Sequence, residues 1–189
     1  MKVLTTGAGT WLILFLVVQR LAELDVARRN TRKLRTEGAV EFGASHYPVM
    51  VTLHTCWLLT LLVVGYDRPV DPLWLALFGL LQLGRGWAIA SLGRRWTTRV
   101  LVSPGATPVT HGPYRFINHP NYAVVTLEVA VVPLALGLPM VALIFTAANA
   151  PMLAWRIRVE NRALAWASRA GMASPAIGAV TLANGQPRR

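Results

Sequence analysis

Five long apolar runs alternate with short polar segments along this chain. They span about Thr10 to Ala27, Tyr47 to Tyr66, Pro72 to Leu92, Asn121 to Leu136 and Pro139 to Trp155. Each run is close to the roughly 20 residues that a helix needs to cross the hydrocarbon core of a bilayer. The last two runs meet at Gly137, so we expect them to form a tight antiparallel hairpin. The pattern predicts an all-α, polytopic membrane protein with five transmembrane helices.

The composition separates this chain from ordinary soluble domains. Of its 189 residues, 54% are hydrophobic and only 14% are charged, whereas soluble domains carry about 25% charged residues. The net charge is +11, but the basic residues lie between apolar runs and do not form the single stripe that binds nucleic acid. Cys56 is the sole cysteine, which argues against a disulfide framework and a thiolate metal site. We therefore expect contact with the bilayer, with no nucleic acid, no metal and no obligatory protein partner.

The charges between the runs predict the orientation. Fifteen basic residues follow the first, third and fifth runs, and two lie on the opposite side. The larger group comprises Arg28, Arg29, Arg32, Lys33, Arg35, Arg94, Arg95, Arg99, Arg115, Arg156, Arg158, Arg162, Arg169, Arg188 and Arg189, and the smaller one Lys2 and Arg68. Because segments rich in Lys and Arg stay in the cytoplasm, we expect the N-terminus outside and the C-terminus in the cytoplasm.

The end of the chain differs from the rest in composition. From Gly171 onward it is rich in Gly, Ala, Ser and Pro. Such a segment has few apolar side chains with which to build a packed structure. We therefore predict a single membrane-embedded domain over residues 1–170 and a poorly structured cytoplasmic tail over residues 171–189.

Two polar features stand out at the predicted cytoplasmic surface. The segment from Thr110 to Tyr122 contains histidines, tyrosines, an arginine and prolines between two apolar runs. At the end of the fifth run, Arg156 and Glu160 are four residues apart, so they project from one face of a helix. Together these features suggest a site that takes one ligand from water and another from lipid.

Ionisable residues also occur inside the apolar runs. Arg20 and Glu23 lie near the inner end of the first run, Arg85 lies in the third and Glu128 in the fourth. Charged groups within a bilayer are costly and pair with one another or line a functional cavity. We expect Arg85 and Glu128 to form a pair, or one of them to line a ligand pocket.

The sequence resembles the isoprenylcysteine carboxyl methyltransferase family of integral membrane enzymes. The resemblance rests on Gly112-Pro-Tyr-Arg-Phe-Ile-Asn-His-Pro-Asn-Tyr122 and on Arg156-Ile-Arg-Val-Glu160. Within that family, the chain most resembles bacterial O-methyltransferases that act on long-chain alkylpyrones and alkylresorcinols, through blocks such as His46-Tyr-Pro48 and Ser91-Leu-Gly-Arg-Arg-Trp96. The resemblance implies a methyltransferase domain in a bacterial inner membrane, with its active site on the cytoplasmic side.

The resemblance also implies S-adenosylmethionine as the cofactor. The matching positions of the family's cofactor pocket are Ala106, Thr107, Pro108, Val109, Tyr114, His119, Pro120, Asn121, Tyr122 and Glu160. These residue types suit that ligand, because aromatic rings attract a sulfonium and a carboxylate favours an ammonium or ribose hydroxyls. An interfacial aromatic belt is the alternative role for Tyr114 and Tyr122.

Arg156, by the resemblance, faces the methyl acceptor in a catalytic and substrate-binding role. A guanidinium can hold the attacking oxygen and favour its anionic form; an ordinary salt bridge with Glu160 is the alternative. Tyr47 is a candidate substrate-binding residue on the same helix face as His54. His46 and His54 are candidate general bases, and a hydrogen bond to another helix is the alternative role for His54.

These features predict an enzyme that methylates a hydroxyl of a long-chain phenolic or pyrone lipid. One alternative is carboxyl methylation of a prenylated cysteine. Another is a small membrane transporter or lipid-binding protein without enzymatic activity, which would not bind the methyl donor. A transporter would place its polar groups near the middle of the membrane, whereas the polar groups here cluster at one surface.

Overall fold

The computed structural model describes residues 7–173. They form five α-helices and two short strands in the order α1 (Ala8–Thr36), β1 (Val40–Phe42), α2 (His46–Val64), α3 (Pro72–Leu92), β2 (Val100–Val102), α4 (Pro120–Ala135) and α5 (Pro139–Ala173). Two short 3-10 helices cover Gly93–Arg95 and Gly112–Arg115. The fold is mostly helical, as predicted, and the strand pair is an element that the all-α prediction omitted.

The helices differ in their ability to cross a membrane. Within the described part of the chain, three stretches are long and apolar enough to do so: His46–Val64, Pro72–Arg95 and Pro139–Met172. Helix α1 has 29 residues but includes Arg20, Glu23 and Asp25 in its apolar run, and α4 has only 16 residues. Length and composition therefore support the second, third and fifth of the predicted spans.

The main hydrophobic core lies where α1, α2, α3 and α4 meet. Its largest contributions come from Leu12, Ile13, Leu16, Trp57, Leu61, Phe78, Val129, Val132 and Leu136. Helix α4 is the most enclosed of the five, because half of its residues are buried. Helix α4 packs against both α3 and α5, and the polar segment joins it at Pro120.

Helices α4 and α5 are separated by three residues and pack against each other. The amide of Leu138 donates to the carbonyl of Pro133 at 2.8 Å, which closes the turn. Helix α5 continues well past the predicted end of the fifth run at Trp155 and reaches Ala173. Residues 171–173 of the predicted tail thus belong to α5, and residues 174–189 lie outside the described residues.

The two strands form an antiparallel ribbon in which Val40 pairs with Val102 and Phe42 with Val100. The ribbon packs on the extension of α5 through a second small core that includes Ala163 and Ala167. Phe42 also contacts Trp166, with ring centroids 5.2 Å apart. The ribbon therefore holds the segment after α3 beside the part of α5 that bears Arg156 and Glu160.

A buried ionic network joins α1, α3 and α4. Arg85 donates to Glu128 at 2.7 Å and to Glu23 at 2.6 Å. Arg20 donates to Glu128 at 2.6 Å and to Glu23 at 3.0 Å. Gln82 donates to the second oxygen of Glu128 at 2.6 Å. The predicted pairing of Arg85 with Glu128 is confirmed, and the two arginines and two glutamates balance each other's charge.

Candidate functional site

A cavity of about 830 Å³ opens between β2, the loop after it, the second 3-10 helix, the start of α4 and the extension of α5. This volume lies within the range of small-molecule sites. Nearly all predicted site residues of the polar segment and of α5 line it: Ala106, Thr107, Pro108, Val109, Tyr114, His119, Asn121, Tyr122, Arg156 and Glu160. Pro120 does not line it but is buried at the first turn of α4, where a missing amide is tolerated. The structure therefore brings the two predicted features into one site.

The loop that forms one wall of the cavity is held from two directions. Arg95 donates to the carbonyl of Thr107 at 2.7 Å, and the amide of Gly105 donates to the carbonyl of Ala167 at 3.0 Å. A Cβ on Gly171 would lie 2.7 Å from the Cα of Gly105, so the two backbones approach more closely than larger residues allow. The loop thus rests directly on the last turns of α5.

Tyr122 connects Arg156 and Glu160 of α5. The Nε of Arg156 donates to the hydroxyl of Tyr122 at 2.8 Å, and that hydroxyl donates to the carboxylate of Glu160. The ring of His119 stacks on the ring of Tyr122 with centroids 5.2 Å apart, and its Nδ1 lies 3.8 Å from Glu160. Among the ion pairs of residues 7–173, none joins Arg156 directly to Glu160. The alternative of an ordinary salt bridge is therefore wrong, because the tyrosine hydroxyl stands between them.

Arg156 is buried without a carboxylate partner in the described chain. Its side chain is held by the carbonyl of Thr98 at 2.8 Å and by the sulfur of Met50 at 3.0 Å, both through Nη1. Within residues 7–173, no protein group accepts a hydrogen bond from its Nη2. A buried cation with a free donor at the cavity wall is suited to bind an anionic oxygen.

Tyr114 faces the cavity from the second 3-10 helix. Burial raises the pKa of its phenol, and the negative charge of Glu160 raises it further. Tyr114 therefore stays protonated at neutral pH and can offer an aromatic face and a hydroxyl donor to a bound ligand.

The structure does not bring the two candidate bases to the cavity. The Nδ1 of His54 bonds with the carbonyl of Met50 at 2.9 Å within the same helix, and the ring borders a separate small void with Asn149. Among residues 7–173, no hydrogen bond joins His54 to another helix, so the structure does not bear out that alternative. His46 is buried against the edge of Trp155, with centroids 6.0 Å apart, and neither ring nitrogen has a hydrogen-bond partner among the described residues.

Tyr47 lies behind the site and does not line it. The guanidinium of Arg99 sits 4.1 Å from the centre of its ring, and its hydroxyl lies 3.4 Å from that of Thr98. Arg99 in turn donates to Glu41 at 2.5 Å. Tyr47 therefore packs next to Thr98, whose carbonyl holds Arg156 at the cavity wall.

Three residues that support the site were not predicted from the sequence: Met50, Arg95 and Thr98. Arg95 lies in the Ser91–Trp96 block that carries part of the family resemblance, which was a signal for it. Thr98 holds Arg156 through its backbone carbonyl, which any residue could supply. Met50 holds it through a thioether on an apolar helix. Neither of these two has a side-chain pattern that reveals such a role.

Comparison with known proteins identifies the family. The isoprenylcysteine carboxyl methyltransferase (ICMT) family matches residues 74–166, a region that includes Tyr114, Tyr122, Arg156 and Glu160. A protein of Bacillus subtilis (strain 168), described as uncharacterized protein YpbQ, is 42% identical over 160 residues, covering 82% of this chain and 95% of the relative. No solved structure matches the chain. The chain therefore belongs to the isoprenylcysteine carboxyl methyltransferase family, and it is a membrane protein of a methyltransferase family.

Proposed function

We propose that this protein transfers a methyl group from S-adenosylmethionine to a hydroxyl of a long-chain phenolic or pyrone lipid. The observation that carries the proposal is the cavity in which Tyr122 links the carboxylate of Glu160 to the buried guanidinium of Arg156. A carboxylate and a cation on opposite sides of one tyrosine suit two ligands of opposite charge. Membership of a membrane methyltransferase family supplies the reaction class.

The proposed setting is a bacterial inner membrane that all five helices cross, with α4 and α5 as a hairpin. Helix α1 is long enough, and its Arg20 and Glu23 are neutralised within the ionic network. Helix α4 is shorter than a usual span but is largely enclosed by its neighbours. The excess of basic residues on one side favours a cytoplasmic C-terminus and a cavity that opens toward the cytoplasm.

The residues around the cavity fit the methyl donor, which supplies an electrophilic methyl group on a sulfonium. Glu160 suits the ammonium or the ribose hydroxyls, and the rings of Tyr114, His119 and Tyr122 suit a neighbouring cation. Backbone groups of residues 106–109 supply donors and acceptors for an adenine. The cavity volume of about 830 Å³ accommodates a ligand of this size.

Arg156 positions the acceptor oxygen in this proposal. Its Nε and Nη1 are fixed by Tyr122, Thr98 and Met50, so Nη2 is directed without further ordering of the side chain. A fixed cation stabilises the negative charge of a phenolate or enolate and so lowers the cost of releasing the proton of the parent hydroxyl to water. An acidic hydroxypyrone needs no further base, which agrees with the placement of His46 and His54 away from the cavity.

Calorimetry on the detergent-purified protein tests donor binding. S-adenosylmethionine and its demethylated product are both expected to bind, and Glu160→Gln is expected to weaken this binding about tenfold, as loss of a charge-assisted hydrogen bond does. Asp67→Asn changes an exposed acid between α2 and α3 that does not line the cavity; it serves as the matched control and should bind normally. Absence of donor binding in the unaltered protein would favour a non-enzymatic lipid-binding protein.

The acceptor is then identified by mass spectrometry. An alkylresorcinol or alkylpyrone is expected to gain the mass of one methylene in a donor-dependent reaction. The carboxylate of a prenylated cysteine is a second candidate, because the free Nη2 of Arg156 can also donate to a carboxylate oxygen. Methylation of the prenylated cysteine alone would overturn the phenolic or pyrone assignment while leaving the methyltransferase activity in place.

A further inference from the structure

The segment that follows the second 3-10 helix has two faces with different chemistry. Tyr114 and His119 line the cavity. Between them, Phe116 and Ile117 project outward, with 67% and 49% of their surface exposed. Two adjacent large apolar residues with this exposure are unusual in a water-facing loop. Their neighbours on the folded surface indicate what covers them.

The segment is fastened to the last turns of α3. Gly112 has φ +60°, and a Cβ there would collide with the side chain of Ser91, so the backbone lies directly on the helix. Pro113 is buried beside it. The ring of Phe116 contacts Trp87, with centroids 6.5 Å apart and an angle of 61° between the rings. Phe116 therefore has a fixed position next to α3.

The outward face of α3 is apolar and continues into Phe116. Leu80, Leu83 and Trp87 are three and four residues apart, so they share one helix face, and each is more than half exposed. This face belongs to a stretch that is long and apolar enough to span a membrane. Phe116 extends the same surface beyond Trp87, at the end of α3 where an interfacial tryptophan is expected.

A basic residue accompanies the apolar pair. The guanidinium of Arg115 lies 4.7 Å from the centre of the Phe116 ring, and Arg115 is exposed. An arginine above an inserted aromatic ring can reach the phosphates of the lipid headgroups while its stem stays in the apolar layer. The combination matches a lipid surface and not a water-filled space.

We propose that Phe116 and Ile117 insert into the boundary of the acyl chains in the leaflet on which the cavity opens. The bilayer thereby holds the segment that carries Tyr114 and His119 against α3, and lipid contact supports the cavity wall. The insertion itself follows from the exposed surface alone; only the description of the wall as donor-binding rests on the proposed function.

Depth-dependent fluorescence quenching tests the insertion. Cys56→Ser removes the native thiol, and Ile117→Cys then carries a bimane label in bilayers of phosphatidylcholine and phosphatidylglycerol with brominated acyl chains. Leu83→Cys marks the lipid-facing surface and exposed Thr36→Cys marks the aqueous side. Quenching at position 117 is expected to be at least about half of that at position 83. Quenching no greater than that at position 36 would overturn the proposal, whether or not the protein binds a methyl donor.

A binding measurement tests the support of the cavity wall. In nanodiscs of the same lipids without bromine, the double variant Phe116→Ser/Ile117→Ser is expected to bind S-adenosylmethionine several-fold more weakly than the unaltered protein. Leu143→Ser/Ile144→Ser is the matched control, because these residues on α5 have 63% and 57% exposure and lie on the membrane-spanning part of the helix. Equal affinity in both double variants would refute the supporting role. Failure of the unaltered protein to bind the donor would instead count against the proposed function, and the quenching result would still decide the insertion.

Discussion

Tyr122 donates a hydrogen bond to the carboxylate of Glu160, which lies on a different helix and 38 positions further along the chain. The same hydroxyl accepts a hydrogen bond from Arg156. The phenol thus has a cation on one side and an anion on the other, and both bonds are of the strong, charge-assisted kind. One oxygen atom therefore fixes the relative positions of the residues proposed to hold the donor and the acceptor.

Removal of this hydroxyl should impair the reaction more than the fold. Tyr122→Phe loses two hydrogen bonds to charged groups, each worth roughly 1.5–3 kcal/mol. Because part of this loss also destabilises the free enzyme, only the remainder lowers kcat/KM. We expect kcat/KM to fall about 10- to 100-fold, measured with the methylated lipid product. Tyr66→Phe, which removes the hydroxyl of an exposed tyrosine just beyond the end of α2, is the control. An unchanged kcat/KM in Tyr122→Phe would show that the link has no part in the reaction.

The buried ionic network should carry much of the stability of the helix bundle. Glu128→Gln leaves Arg20 and Arg85 with only Glu23 as a buried counter-charge, and breaking a buried pair in this way costs about 3–5 kcal/mol. A large drop in the thermal unfolding midpoint in detergent is therefore expected. Asp25→Asn breaks the exposed pair with Arg29 and should cost less than about 1 kcal/mol. Equal midpoints for the two variants would contradict a stabilising network.

The ribbon should lose stability in acid. Burial alone would raise the pKa of Glu41, but hydrogen bonds from Arg99 and Arg35 outweigh it and lower the pKa below the ordinary value. Because the folded pKa is lowered, the stabilisation is complete above the ordinary glutamate pKa of about 4.3 and is lost as the pH falls through the folded value. Unfolding midpoints measured between about pH 7 and pH 3 should fall in acid.

The variant Glu41→Gln tests whether this carboxylate is responsible. It should be less stable than the unaltered protein at neutral pH and should show a weaker decline in acid, because the titrating group is gone. A decline of the same size in the variant would assign the acid sensitivity to other carboxylates.

His54 should be dispensable for proton transfer. Its ring bonds with a carbonyl of its own helix and borders a void separate from the cavity. His54→Ala is therefore expected to lower the unfolding midpoint, since it empties part of a packed region, while the pH dependence of kcat keeps its shape. Loss of the acidic limb of that profile, where protonation would inactivate a base, would restore His54 as the general base.

The residues that line the cavity could be predicted because they lie in two short, recognisable stretches. Tyr114, His119 and Tyr122 follow one another within nine residues, and Arg156 and Glu160 share one helix face. What the spacing could not reveal was Tyr122 between the two charged side chains, since that contact depends on how α4 packs against α5. An i,i+4 pair is close enough for a salt bridge, but the hydroxyl of Tyr122 from α4 bonds to both side chains instead.

Other features escaped prediction for different physical reasons. Strands of three residues, such as Val40–Phe42, are too short to show an alternating pattern, and their pairing joins positions about 60 residues apart. The orientation of the His46 and His54 side chains could not be predicted either. Helix α2 is apolar on every side, so its sequence does not show which face packs against the other helices. The pairing of Arg85 with Glu128 was predictable, since charges inside an apolar run have few alternatives to each other.

The contact between Gly105 and Gly171 makes the wall of the cavity depend on the length of the last helix. The final turns of α5 support the wall of the cavity from positions about two to three helical turns beyond Glu160. A shortened protein that ends before Ala167 would keep Arg156 and Glu160 yet lose this support for the loop. A bulkier residue at Gly105 or Gly171 would push the loop away from α5. Changes near the C-terminus of this protein are thus felt where the methyl donor is proposed to bind.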